Sequence, residues 1–335
     1  DMTRAAVAAS ERLGLPVLVR LVTRLCHGRA EVTTAPATPR SEGRKMGDAQ
    51  DWPLLPGNAR RLWQELLDGR DEVRKWSAEC GWSSSGARSE EGELGVVTAG
   101  IARNYLDEVL SEPHPSISRF HVGAHPAPDD ALREFAESVD RILVLEDGYP
   151  YLERRLRGAL GAPLDVAGKD TGHVPQAGEL TPETVRKALG LRERAELSTP
   201  LPLPMRPPQL CRGCPHADAF QALRMALADH DQAIVTGDIG CYTLGALAPH
   251  NTLESCVCMG ASIGMAKGAA DVGAGPAVAV IGDSTFTHSG LTGLLDCVFE
   301  KSNVNILIVD NESVAMTGGQ DSHARGRIER ICEGI

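Results

Sequence analysis

The chain has 335 residues, 42% hydrophobic but only 4% aromatic, with 35 Gly and 21 Pro: enough for two or three domains with a sizeable core, in a composition of small and β-branched apolar residues that suits α/β layers. A formal net charge of −11 leaves no electrostatic footprint for a nucleic acid. No apolar run approaches the ~18–20 residues of a membrane span, and no signal-peptide pattern opens the chain, so a cytoplasmic protein without membrane or nucleic-acid partners is expected. In that setting the nine cysteines argue for thiols or metal–sulfur ligation over disulfides.

Residues 1–32 read as an amphipathic helix over Met2–Arg12, a Gly14-Leu15-Pro16 turn and a strand over Val17–Val22. The chain opens on Asp1, and a helical run over Arg325–Glu333 lies just before Ile335. Both ends read as cuts through domains, and a fragment of a longer protein is expected. Residues 33–91 have linker composition around a single helix, Asn58–Lys75, with Leu62, Trp63, Leu66, Leu67 and Val73 at helical spacing. Trp63, Trp76 and Trp82 either stack on a ligand or pack that helix onto a neighbour; Ser83–Glu93 reads as loop. From 92 to 165 the pattern becomes a doubly wound α/β domain. Strands Leu94–Thr98, Ile117–Val122 and Arg141–Glu146 alternate with helices 102–110, Asp129–Val139 and Tyr149–Leu160, with Asp129 as an N-cap. The strand-end loops Thr98-Ala99-Gly100 and Glu146-Asp147-Gly148 are either ligand contacts or scaffold. Residues 166–208 return to a Pro-rich linker with one short helix after Thr181-Pro182, and the last domain occupies 209–335.

That domain opens on Cys211-Arg212-Gly213-Cys214-Pro215-His216. A CxxC pair at a turn grips a metal or cluster or acts as a dithiol. A zinc ribbon needs a second pair about 15–20 residues on, which is not there, and the Pro-rich lead argues against a thioredoxin-like pair. A helix over 216–229 follows, and strand Gln232–Thr236 then runs into Gly237-Asp238-Ile239-Gly240-Cys241, where glycines let backbone amides approach a phosphate or a planar ring. Cys256, Cys258 and Cys297 read as small core residues. Met259-Gly260-Ala261-Ser262-Ile263-Gly264 opens a helix whose small residues admit a cofactor or simply pack tightly; its neighbours favour the cofactor.

The most informative stretch runs from Val278 to Gln320. An apolar run, Ala277–Ile281, ends in a Gly282-Asp283-Ser284 loop; a helix follows, and a second run, Val304–Val309, ends in Asp310-Asn311. This is a βαβ unit. Its right-handed crossover places both loops at the carboxyl ends of the strands, where open α/β sheets bind ligands, so Asp283 and Asn311 become neighbours. A carboxylate, an amide oxygen and a backbone carbonyl just beyond form an oxygen-only set suited to Mg²⁺ holding a diphosphate. His288 either donates to substrate or diphosphate or caps the helix. Thr317, in Thr317-Gly318-Gly319-Gln320, is a diphosphate contact on the same edge.

The GDS…N pattern resembles the thiamine-diphosphate motif, in which Asp, Asn and a carbonyl two residues on bind the magnesium; Ser313 would supply that carbonyl. Ser284 stands where that motif usually has Gly, a departure shared with the indolepyruvate:ferredoxin oxidoreductases. Their large (α) subunits read much like GDSTF.HSG…DN…AMTG.Q and RPP.LC.GCPH, the patterns found here. The resemblance implies multidomain α/β architecture of doubly wound parallel sheets, with the thiamine-diphosphate-binding fold at the C-terminal end. It places cofactor contacts at Gly237, Asp238, Gly240 and Cys241, at Met259, Gly260, Ser262 and Ile263, and at Gly282, Asp283, Ser284, Thr285, Asn311, Ser313 and Thr317. It suggests a [4Fe–4S] cluster on Cys211, Cys214 and Cys241, with free thiols lining the pocket as the rival.

Residues 1–32 resemble the PV..R.TTR..H tail of a pyrimidine-binding domain, with Arg20, Arg24 and His27 its charged candidates or mere surface charges. Residues 92–165 resemble the transketolase C-terminal domain. The family's activating glutamate falls outside the chain, so no catalytic acid or base is assigned. The implied reaction is oxidative decarboxylation of an aryl pyruvate such as indolepyruvate to the aryl-acetyl-CoA. Thiamine diphosphate, Mg²⁺ and iron–sulfur clusters serve it; CoA, ferredoxin, a smaller β subunit and an oligomeric assembly are the partners. The cysteine-rich ferredoxin-like segment would lie beyond Ile335, so this piece alone is not expected to turn over. The rivals are a non-oxidative thiamine-dependent 2-oxoacid decarboxylase or synthase, and a cofactor-binding subunit without turnover.

Overall fold

The computed structural model describes residues 2–34, 55–86, 93–110, 117–158, 160, 165–192, 194 and 208–335. The chain divides into two compact units, Asp1–Ser198 and Thr199–Ile335. Residues 35–54 of the first linker and most of the Pro-rich stretch before Cys211 (195–207) lie outside the described residues.

The first unit begins with α1 (Met2–Leu13), an arm over residues 14–22, and the single turn α2 (Thr23–Cys26). The expected strand over Val17–Val22 does not form. No ladder reaches the segment, and Leu18 and Leu21 stay exposed, because β-branched composition makes a strand only where a sheet edge accepts it. The single helix expected near residue 60 is two, α3 (Pro56–Asp68) and α4 (Arg70–Glu79), which meet at Gly69. The periodic pattern survives that break, which hid it. Beyond them β1 (Ser84–Ser85) forms a two-residue antiparallel edge in what read as loop.

Five strands make the sheet: β1, β2 (Leu94–Ala99), β3 (Ile117–Val122), β4 (Arg141–Leu145) and β5 (Asp165–Ala167), in spatial order β1-β3-β2-β4-β5, parallel except for β1. Alternation sets the two faces. Ile142 and Val144 pack with Leu132 and Phe135 of α6 (Asp129–Glu137) and Leu152 and Leu156 of α7 (Tyr151–Arg157). Leu143 and Leu145 pack with Leu106 of α5 (Ala102–Val109) and Val185 of α8 (Pro182–Ala188). Stretches read as linker therefore supply an edge strand and a core helix, the latter capped by Thr181, whose Oγ1 accepts from the Thr184 amide at 3.2 Å. Asp129 does not cap α6: Pro128 holds the N-cap position, and the Asp129 carboxylate instead pairs with Arg155.

In the second unit, α9 (Pro215–Ala226) leads to β6 (Ile234–Gly237), a 3₁₀ turn (Cys241–Ala246), β7 (Ser255–Cys256), α10 (Ala261–Asp271) and β8 (Ala277–Gly282). Then come α11 (Asp283–Thr285), a π turn (Phe286–Gly290), α12 (Leu291–Glu300), β9 (Val304–Val309), the ribbon β10 (Ser313–Val314) and β11 (Gln320–Asp321), and α13 (Ile328–Glu333). The all-parallel sheet has the order β7-β6-β8-β9. Every residue of β8 is buried, as a central parallel strand covered on both faces requires. Val278 and Val280 face Phe220 and Tyr242; Ala277, Ala279 and Ile281 face Ile263, Phe286 and Cys297. Among the described residues no helix is long and apolar enough to cross a membrane.

Candidate functional site

The connection leaving β6 runs to β7 on one side, while β8 continues to β9 on the other. The carboxyl ends of β6 and β8 therefore flank a switch point, the crevice where open α/β sheets take ligands. Gly237-Asp238-Ile239-Gly240-Cys241 and Gly282-Asp283 meet there. Gly282 also registers with Val309 across the β8–β9 ladder, which carries Asn311 to the same edge, and α11 packs beside β10.

No loop follows β8: the helix begins at Asp283 itself and passes through a π turn, an irregularity frequent at functional sites. Asp283 is 3% exposed, and its Oδ2 is buried without a hydrogen-bond partner. Native folds rarely leave a carboxylate oxygen so placed unless something else satisfies it. Asn311 Oδ1 accepts from the Ser313 amide at 3.1 Å, and Asp310 Oδ1 from the Glu312 amide at 2.9 Å. These turns hold the loop while Asn311 Oδ1 keeps a second lone pair. The orphaned carboxylate oxygen, with an amide oxygen and the Ser313 carbonyl brought to the same edge, fits a hard divalent cation.

Other expected contacts have different occupations. Asp238 is fully buried; its Oδ1 accepts from the Ser262 amide at 2.8 Å and its Oδ2 from the Ser262 hydroxyl at 2.5 Å. The pair closes the N-terminus of α10 and leaves that carboxylate no face for a ligand. Burial raises the Asp238 pKa above its ordinary value, against the lowering effect of those hydrogen bonds. Ile263 sits in the core. Met259 is exposed and its carbonyl accepts from Ser289 Oγ at 2.8 Å; an added Cβ on Gly260 would strike the same serine. His288 is exposed, with Nδ1 3.1 Å from Ser289 Oγ. Thr317 donates to Val314 O and Gln320 Oε1, so its hydroxyl serves its own turn.

The glycines make room for a ring of the protein rather than for a ligand. A Cβ on Gly282 would lie 2.5 Å from Tyr242 Cε1, and one on Gly240 would also strike that ring. Sequence reasoning missed Tyr242; the signal was an aromatic two residues past Gly240. Its hydroxyl donates to Ile239 O at 3.1 Å, a carbonyl that also accepts from Thr285 Oγ1 at 3.2 Å. Burial pushes its pKa up to about 12. His216, also missed, stacks on this ring with centroids 6.4 Å apart. Burial lowers the His216 pKa, and the opposing pull of Asp283 places that carboxylate within electrostatic reach.

All nine cysteines are free thiols, but Cys256 and Cys258 are exposed, so of the trio expected in the core only Cys297 is a core residue. The CxxC pair does open a helix, despite its Pro-rich lead: Cys214 is the N-cap of α9 and its Sγ lies 3.2 Å from His216 Nδ1. Burial raises the Cys241 pKa, and Cys211 and Cys214 add to the rise, so the three share one neighbourhood. Yet among the described residues no three or more of His, Cys, Asp and Glu are gathered to hold a metal ion. The three cysteines as placed do not fit a cluster.

Residues 238–331 match the family of thiamine pyrophosphate enzymes at their C-terminal TPP binding domain. The chain is 36% identical over 330 residues to the indolepyruvate oxidoreductase subunit IorA of Methanothermobacter thermautotrophicus, covering 94% of this chain and 53% of that one. It is 31% identical over 345 residues to IorA of Archaeoglobus fulgidus (97% and 54%) and 31% over 365 residues to IorA of Thermococcus kodakarensis (98% and 56%). The chain spans about half the length of these relatives. The similarity to these indolepyruvate oxidoreductase subunits runs along nearly all of the chain, and the matched thiamine pyrophosphate binding domain falls on the switch-point crevice.

Proposed function

We propose that this chain forms the thiamine-diphosphate-binding part of an enzyme that oxidatively decarboxylates aryl pyruvates, indolepyruvate among them, to aryl-acetyl-CoA and passes the electrons to ferredoxin. The observation that carries the reading is the buried, unpartnered Oδ2 of Asp283 at the switch point, inside the matched domain. Mg²⁺ would be held by Asp283 with Asn311 and the Ser313 carbonyl, and would screen the diphosphate from the carboxylate. No side chain caps the helix that starts at Asp283, so its first amides are available to an anion. Thiamine diphosphate, when bound, supplies a nucleophilic thiazolium carbon and an electron sink. Around it, Tyr242 fills the floor between Gly240 and Gly282 and keeps water out of the base of the crevice. Cys211, Cys214 and Cys241 stand as thiols on the same rim.

The subunit names of the relatives support a smaller β subunit and an oligomeric assembly as partners, and the free thiols suit a cytoplasmic setting. The test is calorimetric titration of thiamine diphosphate with Mg²⁺ into the native-length chain and into Asp283→Ala. Saturable binding to the first, weakened at least about a hundredfold in the second (~2.7 kcal/mol), is expected. Equal binding by both would remove Asp283 from the site. Anaerobic viologen reduction with indolepyruvate and CoA, by the complex with its partner subunit, tests the reaction itself.

A further inference from the structure

The five-stranded sheet has a switch point of its own. The connection from β2 passes over one face to β3, and that from β4 over the other face to β5. Beyond the carboxyl end of β4 lies a cavity of about 230 Å³, a volume for a small metabolite. Asp147 and Gly148 enter it from the end of β4, Tyr105 from α5, and Arg20 and Arg24 from the arm and turn that precede the sheet. Glu179 completes the charged lining.

Two of the four charges already have each other. Arg24 Nη2 donates to Glu179 Oε2 at 3.0 Å while its guanidinium lies 5.4 Å from the centre of the Tyr105 ring. The other two are unpaired among the described residues. Arg20 makes no ion pair or hydrogen bond there, and its Nη2 rests on Gly148, 3.1 Å from where a Cβ would sit. Asp147 Oδ1 accepts only from the neutral Leu180 amide, at 3.0 Å. His125, which feels Arg20, has its pKa lowered by burial first and then by Arg155 and Arg20, so it adds no cation near neutrality. With two arginines against one aspartate and one glutamate, the lining is neutral as a whole. A simple anion gains at Arg20 and loses at Asp147.

We propose that this cavity binds a small zwitterion, an α-amino acid whose carboxylate meets the Arg20 guanidinium and whose ammonium meets the free oxygen of Asp147. The planar donor fork of arginine suits a carboxylate, and a charge on each side of a half-enclosed cavity rewards a ligand carrying both signs.

The experiment is calorimetric titration of the full chain with L-alanine and L-phenylalanine, and with the analogues of each that lack either the amine or the carboxylate. At least one amino acid should bind, with both of its single-charge analogues at least about tenfold weaker. Arg20→Gln and Asp147→Asn should each weaken the amino acid by a similar factor. Arg20 is exposed, and asparagine keeps the acceptor for Leu180, so circular dichroism should report both variants folded. No binding of either amino acid at millimolar concentration, equal binding of an analogue, or unchanged affinity in both variants would overturn the proposal.

Discussion

At position 282 the side chain is limited to hydrogen by a neighbour in space. The Tyr242 ring occupies the volume that a Cβ would need, 2.5 Å away, in a floor closed by Phe220, Val278 and Val280. Overpacking of that kind costs about 1–3 kcal/mol. Gly282→Ala is expected to lower the urea midpoint accordingly, while Tyr242→Phe, which gives up one hydrogen bond to a carbonyl that Thr285 still serves, should cost about 1 kcal/mol or less. An alanine at 282 as stable as the parent would mean the ring is not nested as described. The letters around Gly282 announced a ligand site, yet the reason for the glycine is a ring forty residues upstream, which no local pattern can reveal.

Among the elements, the N-terminus of α10 depends on a buried carboxylate. Burial raises the Asp238 pKa above its ordinary 3.8, with the Ser262 side chain and the amides of Ser262, Gly260 and Ala261 pulling the other way. The unfolded chain then releases this proton at lower pH than the folded one does. The associated stability is fully present below about pH 3.8 and is lost as pH rises through the folded value. Asp238→Asn keeps an acceptor for the Ser262 amide and does not titrate. Relative to the variant, the parent should therefore lose stability as pH is raised from 3.8 toward neutrality, measured by melting temperature. A constant difference across that range would show that the carboxylate does not titrate differently on folding. The β8–α12–β9 unit was legible because its apolar runs and turn letters sit close together in the chain. The break at Gly69 and the core role of α8 were not, because an amphipathic period continues across a break and a short helix carries too little apolar surface to announce burial.

For the molecule as a whole, two sheets of the same winding each leave a crevice at the switch point, and only the second coincides with the matched thiamine pyrophosphate domain. A ligand that binds only the folded state stabilises it by mass action, about 2.7 kcal/mol at a hundred times its dissociation constant. Thiamine diphosphate with Mg²⁺ should accordingly raise the melting of the second unit by roughly 10 °C, and should leave Asp283→Ala unmoved. A shift that persists in the variant would locate the cofactor elsewhere.

The amino-acid sequence was sufficient for the parallel α/β class and for the strand–helix–strand unit whose two strands lead into Asp283 and Asn311. Strand–helix–strand periodicity and right-handed crossover leave few other topologies. Tertiary structure alone decided which of the motif letters remain free for a ligand. Asp238 and Ser262 satisfy each other, Thr317 serves its own turn, Gly240 and Gly282 yield their space to Tyr242, and Asp283 at the same edge keeps a buried oxygen unspent. Whether a polar group is available depends on every partner within about 3 Å, and those partners come from segments far apart in the chain.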